Sequence, residues 1–245
     1  MKVYILTDLE GISYVVREEQ TAPGTKEYEE ACLLLTRDVN AAIEGAIDGG
    51  AKEIVVNDLH GARGGLIGLD ESYNLAFMVG YHAMAGTLGA VLDHTMASKV
   101  IVNVYLNEQK VGEIGIDSSI LGCFNIPVGL VTGCKKAVEE AKSLLGDVEG
   151  VIVKEGFSRN FAICMPPVKS RRLIRESARR AVERARKGEF RPFKVKPPIK
   201  VRVEYSHPNY ADMQARMPGV ERLDSRTILV EGENLLDVML KLGWY

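Results

Sequence analysis

Short apolar runs alternate with longer amphipathic stretches along the first two thirds of the chain. The first run, from Val3 to Leu6, is rich in β-branched and aromatic residues and predicts a buried strand. Thr25 then precedes a helical pattern that continues to Gly49-Gly50, so we predict an N-cap at Thr25 and a helix end at the two glycines. A second apolar run at 52–57 predicts a second buried strand. This strand–helix–strand order is typical of a βαβ unit and indicates a parallel sheet.

The alternation of strand and helix continues to about residue 164. Predicted strands lie at 75–80, 100–106, 128–131 and 151–154, and predicted helices lie at 115–124 and 135–145. The composition changes near Met165-Pro166-Pro167, after which a basic helix, two strands and a terminal helix predict a small α+β unit. We therefore predict an α/β fold with a parallel-sheet, three-layer main domain at residues 1–166. A smaller C-terminal α+β domain at 167–245 would support oligomerisation or complete the pocket.

Composition excludes several classes of protein. The hydrophobic fraction of 46% and the charged fraction of 26% are ordinary for a globular protein. A net charge of −2 argues against non-specific binding to nucleic acid or anionic membranes. Glutamates alternate with the arginines of the basic helix, which favours a solvated or intersubunit face. We find no signal peptide and no apolar run of membrane-spanning length, so we expect a cytoplasmic protein with no nucleic-acid or membrane partner. The four cysteines are scattered and three lie in apolar or helical context, which favours buried free thiols over disulfides or a zinc site.

Acids and histidines recur where the predicted strands of the first half end. Asp8 and Glu10 follow the first strand at a spacing of two, which sends both carboxylates to one side. Ligands of open parallel sheets bind at the carboxyl ends of the strands. Three histidines and one further acid lie at or beside other predicted strand ends: His60, His82, His94 and Glu113. Imidazole and carboxylate together suit zinc or a similar divalent ion, and their number suggests two ions that share a bridging carboxylate.

Five motifs, in order and in local context, resemble those of the DppA-type D-aminopeptidases. They are Asp8-Leu9-Glu10-Gly11-Ile12-Ser13, Val56-Asn57-Asp58-Leu59-His60, Gly80-Tyr81-His82-Ala83, Asp93-His94-Thr95-Met96 and Val111-Gly112-Glu113-Ile114-Gly115. The resemblance continues through Ser158-Arg159 and Met217-Pro218-Gly219, so it covers essentially the whole chain. Members of this family are cytoplasmic dinuclear zinc peptidases. The resemblance implies a zinc-dependent aminopeptidase that hydrolyses short peptides with N-terminal D-amino acids, such as D-Ala-D-Ala, by a metal-activated water.

The resemblance also implies a role for each candidate site residue. Asp8 would bridge two Zn²⁺ ions per subunit. Glu10 and His82 would bind one ion, and His60 and Glu113 would bind the other. His94 would be the catalytic residue that moves a proton or stabilises the intermediate. The family further implies a large ring-like homo-oligomer, a decamer, that encloses its active sites.

Two departures from the family pattern concern the pocket. The connection from His60 to His82 is shorter than the family usually has, and residues 64–69 look like two family segments joined with a loop missing. Met84 and Gly86 replace more polar residues after the Gly80-Tyr81-His82-Ala83 motif. Both departures affect the expected substrate choice and leave the expected metal ligands in place.

Other functions remain open at this stage. Asn57-Asp58-Leu59-His60-Gly61 superficially resembles one block of the dinuclear metallophosphoesterases, but the chain has no Gly-Asn-His sequence. A different metal-dependent amidase, including an L-aminopeptidase, and a non-catalytic, metal-stabilised oligomer that binds peptides are further alternatives. A flavodoxin-like nucleotide binder is disfavoured, because no GxGxxG follows a strand and no P-loop is present.

Overall fold

The fold combines two β-sheets with helices packed against them, in a computed structural model that describes residues 1–61 and 65–244. The strands are β1 (Lys2–Thr7), β2 (Glu53–Asp58), β3 (Leu75–Tyr81), β4 (Ile101–Leu106), β5 (Gln109–Val111), β6 (Val128–Cys134), β7 (Glu149–Ser158), β8 (Phe161–Cys164), β9 (Ile199–Tyr205), β10 (Val220–Arg222) and β11 (Thr227–Gly232). The helices are α1 (Lys26–Asp48), α2 (Glu113–Cys123), α3 (Lys135–Leu145), α4 (Pro167–Arg186), α5 (Pro208–Gln214) and α6 (Leu235–Leu242).

The larger sheet has the strand order β2-β1-β3-β6-β7-β8. Its first five strands run parallel, and β8 returns antiparallel to β7. Strands β3 and β6 are buried along their whole length and β1 almost so. Continuous apolar runs of this kind are typical of a parallel sheet covered on both faces. The predicted α/β fold with a parallel sheet is confirmed, and it places the carboxyl ends of β1, β2 and β3 side by side.

Strand β2 differs from the prediction of a buried strand. It lies at the end of the sheet, beside β1, and several of its residues face solvent, including Val56. The apolar run at 54–56 predicts a strand, but the position of that strand in the sheet depends on pairing between distant segments. The four-residue strand β8, which was not predicted, is the opposite edge and is also partly exposed.

Local sequence explains where several helices begin and end. The Thr25 hydroxyl accepts the N–H of Tyr28 at 3.0 Å, which confirms the predicted N-cap of α1. The chain leaves α1 through Gly50, which has a φ of 92°. Glycine adopts this conformation with little strain because it has no Cβ. Asn234 caps α6 by accepting the N–H of Leu236 at 2.9 Å.

Helices α1 and α4 pack against each other beside the sheet. Gly45 allows the close approach, since a Cβ there would lie 2.1 Å from the carbonyl oxygen of Arg175. Across the contact, Arg175 pairs with Glu44 at 2.8 Å and Arg171 pairs with Asp38 at 3.3 Å. Much of the basic face of α4 is therefore neutralised within the chain, which explains the mixture of arginines and acids without a nucleic-acid partner.

The smaller sheet is antiparallel and joins distant parts of the chain. Its strand order is β10-β11-β9-β4-β5, so β4 from the first half pairs with β9 from the last quarter, and β5 pairs with β4. Helix α4 in turn packs on α1 and on the larger sheet. The predicted division between residues 166 and 167 stays a prediction, and both of these contacts cross it.

The cysteines differ in burial, and only Cys134 is fully buried as the sequence predicts. The four cysteines are free, with Cys134 buried, Cys32 and Cys164 half-buried and Cys123 exposed. Within residues 1–61 and 65–244, no helix combines the length and apolarity needed to cross a membrane.

Candidate metal centre

Asp8 and Glu10 lie at the carboxyl end of β1, at the edge of the sheet where the sequence predicts ligand binding. Both are buried, with 6% and 7% of their surface exposed. The chain turns immediately after them, because the Gly11 N–H donates to the carbonyl of Gly80 at 2.7 Å. The two acidic side chains therefore enter a site formed between the ends of β1 and β3.

His60 faces both acids from the end of β2. Its Nδ1 lies 3.1 Å from Glu10 Oε2 and 3.6 Å from Asp8 Oδ1. Its Nε2 lies 2.9 Å from the carbonyl oxygen of Thr21, which can accept only a hydrogen bond and so favours the tautomer protonated at Nε2. In that tautomer Nδ1 offers its lone pair to the site, as a ligand nitrogen fixed by a second hydrogen bond does.

His82 faces the other oxygen of Asp8. Its Nε2 lies 3.4 Å from Asp8 Oδ2 and 3.3 Å from Glu113 Oε1. Its Nδ1 lies 3.0 Å from the carbonyl oxygen of Ala83, so this ring too is held with one nitrogen directed at the carboxylates. Asp8 therefore has one carboxylate oxygen towards each of two histidines, which is the position that a bridging ligand needs.

His94 stacks on His82, with ring centroids 3.8 Å apart and an angle of 13° between the rings. Its Nδ1 lies 2.8 Å from the carbonyl oxygen of Leu92, and its Nε2 lies 3.6 Å from Glu113 Oε1. Glu113 is in turn held by the backbone N–H of Met96 at 2.7 Å. The structure thus brings all six predicted site residues together.

These residues form two groups of candidate ligands. One contains Asp8, Glu10 and His60, and the other contains His82, His94 and Glu113, with the ligand atoms of each group within 4.8 Å of one another. The resemblance instead pairs Glu10 with His82 and His60 with Glu113. Since Asp8 lies beside both histidines, the assignment of ligands to individual ions stays a prediction, as does the expectation that His94 is not a ligand.

The donor set fits divalent cations. Asp8 Oδ2 and His82 Nε2 are buried and have no hydrogen-bond partner among the described residues. Buried polar atoms without partners are costly, and three carboxylates close together repel one another. A Zn²⁺ ion would satisfy both atoms and offset the negative charge, and carboxylate and imidazole are among its usual ligands.

The close approach of charged groups in this site also shifts their pKa values. Burial raises the pKa of Asp8 well above its usual range, and the charge of Glu10 adds to the shift. Burial alone would lower the pKa of His60, but the hydrogen-bonded carboxylates of Asp8 and Glu10 raise it to about 11. Burial and the positive charge of His82 lower the pKa of His94. His94 is therefore the imidazole of the site that is neutral most readily.

Two glycines let the ends of β1 and β3 touch. A Cβ on Gly11 would lie 2.0 Å from the carbonyl oxygen of Tyr81, and one on Gly80 would lie 2.0 Å from the carbonyl oxygen of Asp8. Gly80 also has a φ of 85°, which side chains disfavour. The backbones that carry Asp8, Glu10 and His82 are therefore locked against each other.

Sequence reasoning missed two charged residues that support the site, the buried Lys154 and the half-buried Glu140. Lys154, on β7, is fully enclosed and donates hydrogen bonds to the carbonyl oxygens of Glu10, Ile12 and Val15, at 3.0 Å for Ile12. Its position inside an apolar strand was the available signal, since lysines are almost never fully buried without partners.

Glu140, on α3, is the second supporting residue. Its Oε2 accepts the N–H of Met84 at 2.8 Å, and it also accepts from the backbone of Gly112. These two bonds tie together the segments that follow His82 and precede Glu113. Glu140 follows an ordinary amphipathic helix pattern, so its sequence context carries no signal of this role.

Two adjoining cavities open beside the ligands. A cleft of about 410 Å³ is lined by Asp8, Glu10, His60, His94 and Glu113 together with neighbouring loop residues. A smaller cavity of about 250 Å³ shares Glu113 and Met96 with it and extends to Asp117 and Trp244. The candidate ligands therefore line space in which a small molecule can bind.

An α/β fold with buried carboxylates and imidazoles at the carboxyl edge of its sheet is the arrangement of a metal-dependent hydrolase. The family model for D-aminopeptidases, peptidase family M55, matches residues 1–67 and 62–242. The chain belongs to this family and is a hydrolase of peptide bonds, which confirms the resemblance drawn from the five motifs.

Two relatives support the assignment over nearly full length. A D-aminopeptidase of Bacillus subtilis (strain 168) is 29% identical over 262 residues, which cover 97% of this chain and 93% of the relative. A solved structure described as the Zn-dependent D-aminopeptidase DppA from Bacillus subtilis, a self-compartmentalizing protease, is 27% identical. It superposes with a TM-score of 0.92 and covers 99% of this chain and 95% of that chain.

The comparisons also bear on the predicted missing loop. The alignment of 262 residues is longer than this chain of 245, so the relative contains residues with no counterpart here. The two family-model matches meet at 62–67, within the connection from His60 to His82. Gly64 of this connection lies outside the described residues, and 65–69 lie within them.

Proposed function

We propose that this protein is a zinc-dependent aminopeptidase with two zinc ions per subunit, which removes N-terminal D-amino acids from short peptides. The observation that carries the proposal is the position of Asp8, whose Oδ1 lies 3.6 Å from His60 and whose Oδ2 lies 3.4 Å from His82. A carboxylate between two imidazoles, with a further acid beside each, supplies ligands for two ions and a bridge between them.

The chain's own residues divide the work as follows. Asp8, Glu10, His60, His82 and Glu113 would hold the ions. Zinc in such a site supplies a Lewis acid that polarises an amide carbonyl and makes water acidic enough to react near neutral pH. His94 presents Nε2 to the site, 3.6 Å from Glu113 Oε1, because its Nδ1 faces the carbonyl oxygen of Leu92. Since burial and the charge of His82 lower its pKa, His94 can accept a proton at neutral pH and return it to the leaving amine.

The choice of substrate follows from the relatives and from the size of the cavities. Both Bacillus subtilis relatives are described as D-aminopeptidases, and one as zinc-dependent. Cavities of about 410 and 250 Å³ suit a short peptide. Selectivity for a D-residue is supported by the family alone, since none of the lining side chains distinguishes the two configurations.

Self-association is part of the proposal. The solved relative is described as a self-compartmentalizing protease. In this chain the β7–β8 hairpin carries three exposed apolar side chains, Phe157, Phe161 and Ile163, at the open edge of the larger sheet. Exposed apolar edges of this kind are typical interaction surfaces. We propose a homo-oligomer, as a decameric ring located in the cytoplasm, in which this hairpin is buried between subunits.

The test combines metal analysis with hydrolysis of two dipeptides. We expect about two zinc ions per chain and chelator-sensitive release of D-alanine from D-Ala-D-Ala, with much slower cleavage of L-Ala-L-Ala. Equal cleavage of both dipeptides would overturn the D-selectivity and leave the aminopeptidase activity in place. Failure to bind zinc after reconstitution would overturn the dinuclear centre itself.

A further inference from the structure

Asp117 is a buried acid next to the candidate ligands that the proposed chemistry does not use. It lies four residues after Glu113 on α2, so both side chains project from the same face of the helix. Only 9% of Asp117 is exposed. Its Oδ2 accepts the hydroxyl hydrogen of Tyr81 at 2.6 Å, which holds the carboxylate in place.

Asp117 lines the smaller cavity, and its Oδ1 has no hydrogen-bond partner among the described residues. Among residues 1–61 and 65–244, none donates a hydrogen bond to Oδ1, and no lysine or arginine forms an ion pair with Asp117. The cavity of about 250 Å³ is lined by this carboxylate, by Glu113 and by apolar side chains that include Leu59 and Leu66. A buried carboxylate beside apolar surface, with no cation from its own chain, is a strong site for a cation from a ligand.

We propose that Asp117 binds the α-ammonium group of the substrate's N-terminal residue. This inference rests on the proposed aminopeptidase function and identifies the group that would recognise the free N-terminus. The ammonium would donate to Asp117 Oδ1 while the N-terminal side chain packs against Leu59 and Leu66. Since the cavity is small and includes the apolar side chains of Leu59 and Leu66, the side chain that fits best is a small apolar one such as the methyl group of alanine.

The neighbouring acids are less suited to this role because Glu113 is a proposed metal ligand and Glu140 lies outside the cavity. Glu113 accepts from Met96 N at 2.7 Å and lies 3.3 Å from His82 Nε2. Glu140 accepts from the backbone of Met84 and does not line this cavity. Asp117 is the acid of this cavity that is not among the proposed metal ligands.

The variant Asp117→Asn tests the proposal because it removes the charge and keeps an oxygen that can accept from Tyr81. We expect KM for D-Ala-D-Ala to rise roughly tenfold to hundredfold, with a smaller change in kcat and unchanged zinc content. Affinity for the des-amino analogue propionyl-D-Ala should not change, since this ligand has no ammonium group. An unchanged KM for D-Ala-D-Ala in the variant would overturn the proposal.

The control Tyr81→Phe separates binding from a merely structural role. It removes the hydroxyl that orients Asp117 and leaves the carboxylate, so we expect the preference for a free amine to persist. If both variants weakened D-Ala-D-Ala and propionyl-D-Ala equally, Asp117 would be structural and the proposal would be wrong.

A binding measurement keeps this inference distinct from the proposed function. If the wild-type enzyme cleaved neither dipeptide, the aminopeptidase proposal would fail on its own. Calorimetry on the zinc-loaded protein would still measure the binding affinities for D-alaninamide and for propionamide. We expect Asp117→Asn to weaken D-alaninamide at least about tenfold and to leave propionamide unaffected. Equal binding of D-alaninamide by both proteins would overturn the role of Asp117.

Discussion

Arg159 forms two hydrogen bonds to Asp93, the residue immediately before His94. Its guanidinium donates to the backbone carbonyl of Asp93 and, at 3.0 Å, to the Asp93 carboxylate. The Arg159 carbonyl oxygen also accepts the N–H of Leu92 at 2.9 Å. The segment that presents His94 is therefore anchored to the β7–β8 hairpin by three bonds from one residue.

We expect Arg159→Ala to lower kcat roughly tenfold or more while zinc content stays unchanged, because the loss moves His94 and spares the ligands. Steady-state kinetics with metal analysis of the same sample would measure this. Arg172→Ala is a matched control, since Arg172 is an exposed arginine on α4 that pairs only with Glu176 among the described residues, at 3.9 Å. Equal losses in both variants would exclude a specific role for Arg159.

Replacing His94 separates its catalytic role from metal binding. We expect His94→Ala to reduce turnover by at least about a hundredfold and to retain the zinc of the wild-type protein, because general acid–base groups contribute factors of this size. His207→Ala removes a histidine at the start of α5, far along the chain from the cluster, and should leave activity intact. Loss of zinc from His94→Ala would instead make His94 a ligand, as its position beside Glu113 allows.

Asp8 should be the most sensitive of the candidate ligands. In Asp8→Asn a neutral amide replaces the carboxylate between His60 and His82, so we expect the zinc affinity to fall by a factor of about a hundred. Zinc content after dialysis against a zinc buffer measures the effect. Asp212→Asn, on α5, is the control, because Asp212 pairs with Arg222 at 2.6 Å and belongs to neither ligand group. A doubly loaded Asp8→Asn protein would contradict the bridging role.

Lys154, which bonds to the loop that carries Glu10, should make the stability of the protein depend on pH. Burial lowers the pKa of Lys154 to about 8, so the unfolded chain binds this proton more tightly than the folded protein does. The free energy of unfolding should therefore rise with pH between about 8 and 10, the ordinary lysine value, as the penalty disappears. The difference between wild type and Lys154→Met in urea unfolding across this range isolates the effect.

Lys154→Met should also destabilise the protein at neutral pH by about 3 kcal/mol, because three buried carbonyl oxygens lose their donor. Lys135→Met is the control, since Lys135 forms an exposed ion pair with Glu155 at 2.7 Å. A stability difference that does not change with pH would contradict the lowered pKa.

The β7–β8 hairpin should control the size of the assembly. We expect Phe161→Glu to reduce the particle mass measured by light scattering, because it places a charge on the proposed subunit contact. Leu33→Glu changes another exposed apolar residue, on α1, and should leave the mass unchanged. If only Leu33→Glu lowered the particle mass, the subunit interface would lie at α1 and the proposed role of the hairpin would be wrong.

The parallel sheet and the identity of the clustered residues were predictable because both depend on local pattern. Apolar runs and caps such as Thr25 mark the elements, and carboxyl ends of parallel strands meet at one edge. The exposed position of β2 and the pairing of β4 with β9 were not predictable, since they depend on contacts between segments far apart in sequence.

The same distinction applies to the site. The motifs identify Asp8 and His82 as neighbours, but the facing atoms are set by backbone carbonyls such as that of Ala83, which no side-chain pattern records. The lysine at 154 within an apolar strand was a signal of burial, but its carbonyl partners on the loop after β1, and the Tyr81 hydroxyl that bonds to Asp117, depend on contacts between distant segments.

The contact between Gly11 and Gly80 limits which positions around the site can accept substitutions. One wall of the site consists of main chain that leaves no room for a side chain, so mutation there displaces the ligands before it alters the pocket. New substrate preferences must therefore arise elsewhere around the smaller cavity, at Leu59, Leu66 and Trp244. Leu66 belongs to the connection from His60 to His82, which the sequence predicts to be shorter than in the family, so the segment expected to vary lies next to the metal centre that must stay constant.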